Sequence, residues 1–172
     1  MQADRRSNVV LIGMPGAGKS TVGVILAKHT SRDYVDTDVL IQTSERRPLQ
    51  DIVDADGHMA LRGIEERILL SLDLTNYVIA TGGSAAYSAS AMHHLKENGV
   101  VVFLHVPFDE IRERVRDFAT RGIARAPNQS FADLFEERYV LYRKYADLTV
   151  ACQGLTQEEV SETIRRKLGP DE

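Results

Sequence analysis

Short, uninterrupted apolar runs alternate along the chain with longer stretches in which apolar residues recur every three or four positions. The runs are Asn8 to Ile12, Tyr34-Val35-Asp36, Tyr77 to Ala80, Val100 to His105 and Leu148 to Ala151. Their continuous rather than alternating character predicts strands covered on both faces, as in a parallel sheet. Between them, Lys19 to His29 carries Val22, Ile25 and Leu26 on one helical face, and His58 to Leu74 places Leu61, Ile64, Ile68 and Leu72 at helical spacing. Ser88 to Asn98, Phe108 to Phe118, Phe131 to Ala146 and Gln157 to Leu168 read as further helices. Ser130 with Asp133, and Thr156 with Glu159, fit capping boxes that satisfy first-turn amides. This alternation predicts an α/β fold, a three-layer α/β/α domain spanning residues 1–172. The stretch Ala119 to Gln129 carries Arg, Pro and Gly without periodicity and is expected to form a mobile lid, about residues 119–130.

Composition narrows the class. A chain of 172 residues with 43% apolar and 27% charged residues suits one globular domain and excludes disorder. A formal charge of -4 and a pI near 5.8 weigh against a nucleic-acid binder. The one cysteine, Cys152, cannot form an internal disulfide, which suits a reducing cytoplasm. Met1 to Arg6 has no apolar segment after its charges, so it does not read as a signal peptide. No apolar run approaches the roughly 20 residues a membrane helix needs. The expectation is a cytoplasmic monomer with no membrane or nucleic-acid partner.

One motif carries clear chemistry. Gly13-Met14-Pro15-Gly16-Ala17-Gly18-Lys19-Ser20 matches the P-loop pattern in full, between a predicted strand and a predicted helix. Glycines let backbone amides turn toward phosphate oxygens without an obstructing Cβ. The helix N-terminus adds partial positive charge. Lys19 can reach the β- and γ-phosphates of ATP, and Ser20 can offer its hydroxyl to Mg²⁺.

The motif fixes nucleotide binding but not the reaction. Asp36-Thr37-Asp38 follows the second predicted strand, and in α/β sheets ligands bind beyond the carboxyl ends of strands. One of these carboxylates can hold a Mg²⁺-bound water while the other orients an acceptor hydroxyl. Asp38 could instead cap a following helix. Arg62 has Glu65 and Glu66 three and four residues on, close enough to orient it; an ordinary surface ion pair is the alternative. Thr81-Gly82-Gly83 follows the third predicted strand, and several arginines, Arg114 and Arg121 among them, flank the expected lid. No guanine-reading Asn-Lys-x-Asp segment is present, which disfavours a GTPase switch. His93-His94, His105 and the terminal Arg165-Arg166-Lys167 suggest only packing or helix-end roles.

In this order, these motifs resemble the shikimate kinase family over nearly the whole chain, from about Asn8 to Leu168. The resemblance implies a five-stranded parallel sheet in order 2-3-1-4-5 with a mobile lid, and phosphoryl transfer from ATP to a hydroxyl of shikimate. It implies that Gly16, Ala17, Gly18, Lys19, Ser20 and Thr21 hold the nucleotide, that Asp36 joins Ser20 in serving Mg²⁺, and that Arg114 lies near adenine. It further implies substrate binding by Asp38, Arg62, Gly82, Gly83 and Arg138, the last within Glu137-Arg138-Tyr139-Val140-Leu141-Tyr142. Lys19, Asp38 and Arg121 would be the catalytic set. Two positions depart from the family pattern. Ser84 stands where T-G-G-G usually continues, and Gly122 replaces the proline of R-P-L, a loss expected to free the lid backbone. Another small hydroxy acid such as homoserine stays open as acceptor, as does a nucleotide-binding module without turnover.

Overall fold

The computed structural model describes residues 6–116 and 120–169. The ends of the predicted domain, Ala119 at the start of the expected lid and the last residues of the Phe108 to Phe118 helical pattern lie outside the described residues. Five parallel strands form one sheet in order β2-β3-β1-β4-β5. They are β1 (Asn8–Ile12), β2 (Asp33–Asp36), β3 (Tyr77–Ala80), β4 (Gly99–His105) and β5 (Leu148–Ala151). β1 is buried along its full length and pairs with β3 and β4 on either side, Val10 facing Ile79 and Val101 in register. This is why its sequence is an unbroken apolar run.

The helices are α1 (Lys19–His29), α2 (Thr37–Glu45), α3 (Leu49–Asp56), α4 (His58–Leu70), α5 (Ala89–Glu97), α6 (Phe108–Arg114), α7 (Phe131–Tyr145) and α8 (Gln157–Leu168), with a short 3₁₀ turn at Ala85–Tyr87. Right-handed crossovers dictate their sides. The step from β1 out to β2 puts α1, packed with α8, on one face; the steps back across the sheet put α4, α5 and α7 on the other. A main core runs from β1 through Leu26, Met92, Phe103 and Ile164. A smaller cluster of Ile41, Ile52, Leu61, Ile64 and Ala124 ties α2, α3 and α4 to the segment after Arg121. Among the described residues no helix is long and apolar enough to cross a membrane.

Several boundaries move from the sequence expectation. The pattern His58 to Leu74 ends as a helix at Leu70, where the Ser71 hydroxyl donates to the Ile68 carbonyl at 2.7 Å. Leu72 and Leu74 still pack on the core, but as loop residues. α2 and α3 were not resolved by periodicity, since each spans only two or three turns. Thr156 and Glu159 make the complete reciprocal capping box. Ser130 makes the forward bond to the Asp133 amide at 3.0 Å; a full box is seen at Thr156, where the longer glutamate reaches back.

Candidate active site

The carboxyl ends of β1, β2 and β3 open onto one cavity of about 280 Å³, lined by the P-loop, Asp38, Glu65, Gly82, Arg121 and Arg138 among others. The P-loop supplies its floor. Gly13, Gly16 and Gly18 take φ of 151°, 81° and 96°. At Gly16 a side chain would overlap Val115, so the tight turn excludes any larger residue. Lys19 opens α1 and is buried, its ammonium donating to the Gly13 and Met14 carbonyls at 2.7 and 2.8 Å. Burial pulls its pKa down to about 8, against the opposing pull of Asp38. A cation held on loop carbonyls at the N-terminus of α1 is a ready partner for polyphosphate.

Asp36 ends β2 and joins two elements. Its Oδ1 accepts from the Asp38 and Val39 amides at 2.9 and 3.4 Å, capping α2. Its Oδ2 accepts the Ser20 hydroxyl at 2.6 Å. The helix cap considered for Asp38 is therefore made by Asp36, and the Asp38 side chain is left to face the cavity. Burial holds the Asp38 carboxyl above the usual range, with Lys19 opposing. Ser20 and Asp36 offer hard oxygen donors and little else, and among the described residues no cluster of three ligating side chains occurs. That donor set fits Mg²⁺, which keeps several waters and takes phosphate oxygens rather than a protein cage.

Gly82 and Gly83 are glycine for a steric reason. A Cβ at Gly82 would sit 2.5 Å from Glu65 Oε1 and 2.6 Å from Asp38 Oδ1; at Gly83 it would meet Arg138 Nη1 at 2.5 Å. The loop is held by the Tyr142 hydroxyl, which donates to the Gly83 carbonyl at 2.5 Å, and by the Gly82 amide donating to Thr37 Oγ1 at 3.2 Å. Arg138, on α7, is 1% exposed; its Nη2 donates to the Ala124 carbonyl at 2.7 Å and its Nε has no protein partner.

Arg62 is not brought into this cavity. It lines an adjoining cleft, stacked 3.5 Å from the centre of the Tyr87 ring and 3.9 Å from Glu137. The expected orienting partners do not serve it. Glu65 is buried and accepts the Ser84 hydroxyl, while Glu66 accepts the Ser88 hydroxyl. The reason is helical phase: Glu65 lies four residues from both Leu61 and Leu69, on the buried side of α4. That spacing is the signal that could have marked Glu65 as a cavity acid. Burial first, then the neighbouring Asp38, pushes its pKa up to about 7.

Arg114 and Arg121 flank the P-loop. Arg114 pairs with Glu110 and donates to the Gly16 carbonyl at 3.3 Å; Arg121 lines the cavity and approaches the Arg114 carbonyl at 3.5 Å. Gly122 has φ of 62°, a left-handed conformation closed to proline, and its amide donates to Gln50 Oε1 at 2.6 Å. A side chain there would strike Leu49. The replacement of proline thus goes with a different, specifically packed turn rather than a simple loosening.

A P-loop followed by a carboxylate-bearing second strand, with a cavity where Lys19, Arg121 and Arg138 face Asp38 and Glu65, places the chain among the P-loop nucleotide-binding proteins. A family model for shikimate kinase matches residues 15–169. The chain is 32% identical to the shikimate kinase of Bacillus mycoides over 94% of its own length and 98% of that protein's. It is 35% identical to that of Thermodesulfovibrio yellowstonii over 91% and 92%. Among solved structures, shikimate kinase from Acinetobacter baumannii in complex with shikimate superposes with TM-score 0.86 at 30% identity, covering 94% of this chain and 92% of that one. The Aquifex aeolicus enzyme superposes with TM-score 0.81 at 33% identity, covering 94% and 95%. The chain belongs to the shikimate kinase family, and with it to the phosphotransferases that use a hydroxyl as acceptor.

Proposed function

We propose that this enzyme transfers the γ-phosphate of ATP, with Mg²⁺, to a hydroxyl of shikimate, giving shikimate 3-phosphate. The observation that carries the reading is one cavity in which the P-loop, Lys19, Asp38 and Arg138 converge. Mg²⁺, when bound, neutralises charge on the phosphates. Ser20 and Asp36 would hold it, Asp36 through water. Amides of Gly16 and Gly18 with Lys19 hold the β- and γ-phosphate oxygens, Ala17, whose amide donates to the Met14 carbonyl at 3.0 Å, shapes the loop between them, and Thr21 continues that surface on α1. Arg114 flanks the nucleotide on the far side of Gly16.

Asp38 accepts the hydrogen bond of the acceptor hydroxyl and turns its oxygen toward the phosphorus. Arg138 holds the acceptor carboxylate, with Arg62 reaching it from the adjoining cleft, and Gly82 and Gly83 let the ring approach the backbone. Arg121 adds positive charge over the transferring group as residues 120–129 close and exclude water.

Homoserine is the second reading, because the paired carboxylates of Asp38 and Glu65 could take its ammonium. The reading takes the enzyme as a cytoplasmic monomer acting on small molecules. Cys152, buried and lacking any partner for an internal disulfide, agrees with a reducing compartment. The test is acceptor-dependent ATP consumption with shikimate against homoserine.

A further inference from the structure

Ser84 departs from the glycine usual in its family, and the structure gives its hydroxyl a specific task. The backbone at Ser84 takes φ of -97° and ψ of 4°, which any residue adopts, so a side chain costs no strain there. The residue is buried, and its hydroxyl donates to Glu65 Oε2. That bond uses one oxygen of a carboxylate that is itself only 3% exposed. The other oxygen, Oε1, is buried without any protein hydrogen-bond partner. It does not point at random: Glu65 Oε1 and Asp38 Oδ1 stand 2.5 and 2.6 Å from one and the same point above Gly82 Cα. An acceptor atom buried without a donor is costly, and it is satisfied most simply by a donor that arrives with the ligand.

We propose that Ser84 is a positioning residue for acceptor recognition: it pins the Glu65 carboxylate so that Oε1 stands beside Asp38 and accepts a second hydroxyl of the substrate, next to the one phosphorylated. The inference rests on the proposed reading of the cavity as the acceptor site. Asp38 then takes the reacting hydroxyl and the Ser84–Glu65 pair selects acceptors with a neighbouring hydroxyl. The pair also forms part of the wall between the cavity and the cleft that holds Arg62, since both residues line both spaces. Without the Ser84 hydroxyl the carboxylate can rotate toward that cleft, and the subsite loses its fixed acceptor.

The experiment compares wild type, Ser84→Ala and Ser84→Thr by calorimetric binding without nucleotide, and by steady-state kinetics. The two probes are shikimate and an analogue with hydrogen in place of the hydroxyl adjacent to the phosphorylated one, with homoserine as a control on wild type. Wild type should bind the analogue on the order of tenfold more weakly than shikimate, the scale of one charge-assisted hydrogen bond. Ser84→Ala should weaken shikimate by a similar factor and bind the two probes almost equally, with the KM for ATP unchanged and a lower melting temperature as Glu65 Oε2 loses its donor. Ser84→Thr, which keeps the hydroxyl, should restore most of the discrimination. If Ser84→Ala discriminates as wild type does, the inference is overturned while the acceptor reading stands. If wild type does not bind shikimate, the reading itself falls and the inference with it. If wild type binds homoserine in place of shikimate, the Glu65 and Asp38 oxygens serve an ammonium and the hydroxyl subsite is overturned.

Discussion

The Ser20 hydroxyl donates to Asp36 Oδ2 at 2.6 Å, joining the first turn of the P-loop helix to the end of β2. Through its other oxygen, Asp36 also caps α2, the helix that carries Asp38. The P-loop helix and the helix that carries Asp38 are thus tied through one carboxylate.

From this link, Ser20→Ala should lower turnover on the order of 100-fold and raise the Mg²⁺ concentration needed for half-maximal rate. Asp36→Ala should do the same and also destabilise α2, by about 0.5–2 kcal/mol for the lost cap. Rates measured across a Mg²⁺ titration, with thermal melts beside them, separate the two effects. A Mg²⁺ dependence unchanged in Ser20→Ala would remove that residue from the metal site.

Asp38→Asn should reduce turnover by a factor of about 10²–10⁴, the usual range for a positioned acid or base, while ATP still binds. Single-turnover rates and equilibrium ATP binding on the same preparation check this. Near-normal turnover would refute the role given to Asp38.

Arg138→Lys should raise the acceptor KM more than tenfold, because an ammonium cannot make a guanidinium's forked contact. Arg62→Lys should also raise it, by less, since Arg62 stands in the adjoining cleft on Tyr87. The KM for ATP should hold in both. An acceptor KM unmoved in Arg62→Lys would leave Arg62 as a partner of Tyr87 and Glu137 only.

Glu65 predicts a pH dependence of stability. Its pKa rises from 4.5 to about 7 on folding, so the folded protein binds this proton more tightly than the unfolded chain. The stabilisation is complete below about pH 4.5 and is lost as pH rises through about 7. Glu65→Gln cannot titrate, so its melting temperature should fall less than wild type across that window. Parallel curves for the two proteins would contradict the shifted Glu65.

Much of this was legible before the fold was seen, for physical reasons. β1, β3 and β4 are covered on both faces and therefore wrote unbroken apolar runs, and the P-loop needs so many glycines that its pattern is unmistakable. The strand order came from the family resemblance and agrees with the sheet. α2 and α3 were not resolved because two short helices sharing a small cluster carry too few apolar positions to set a period. Glu65 was assigned to Arg62 by sequence distance, although its spacing from Leu61 and Leu69 turns it inward. The partnership of Ser84 with Glu65 joins residues 19 apart across two elements, a contact no local pattern records.

The central claim is most directly tested by Mg²⁺-dependent ATP consumption with shikimate, homoserine, other hydroxy acids and no acceptor, each at saturating ATP. The account predicts strong turnover with shikimate and background rates with the rest. Turnover with homoserine or another acid, and none with shikimate, would contradict it.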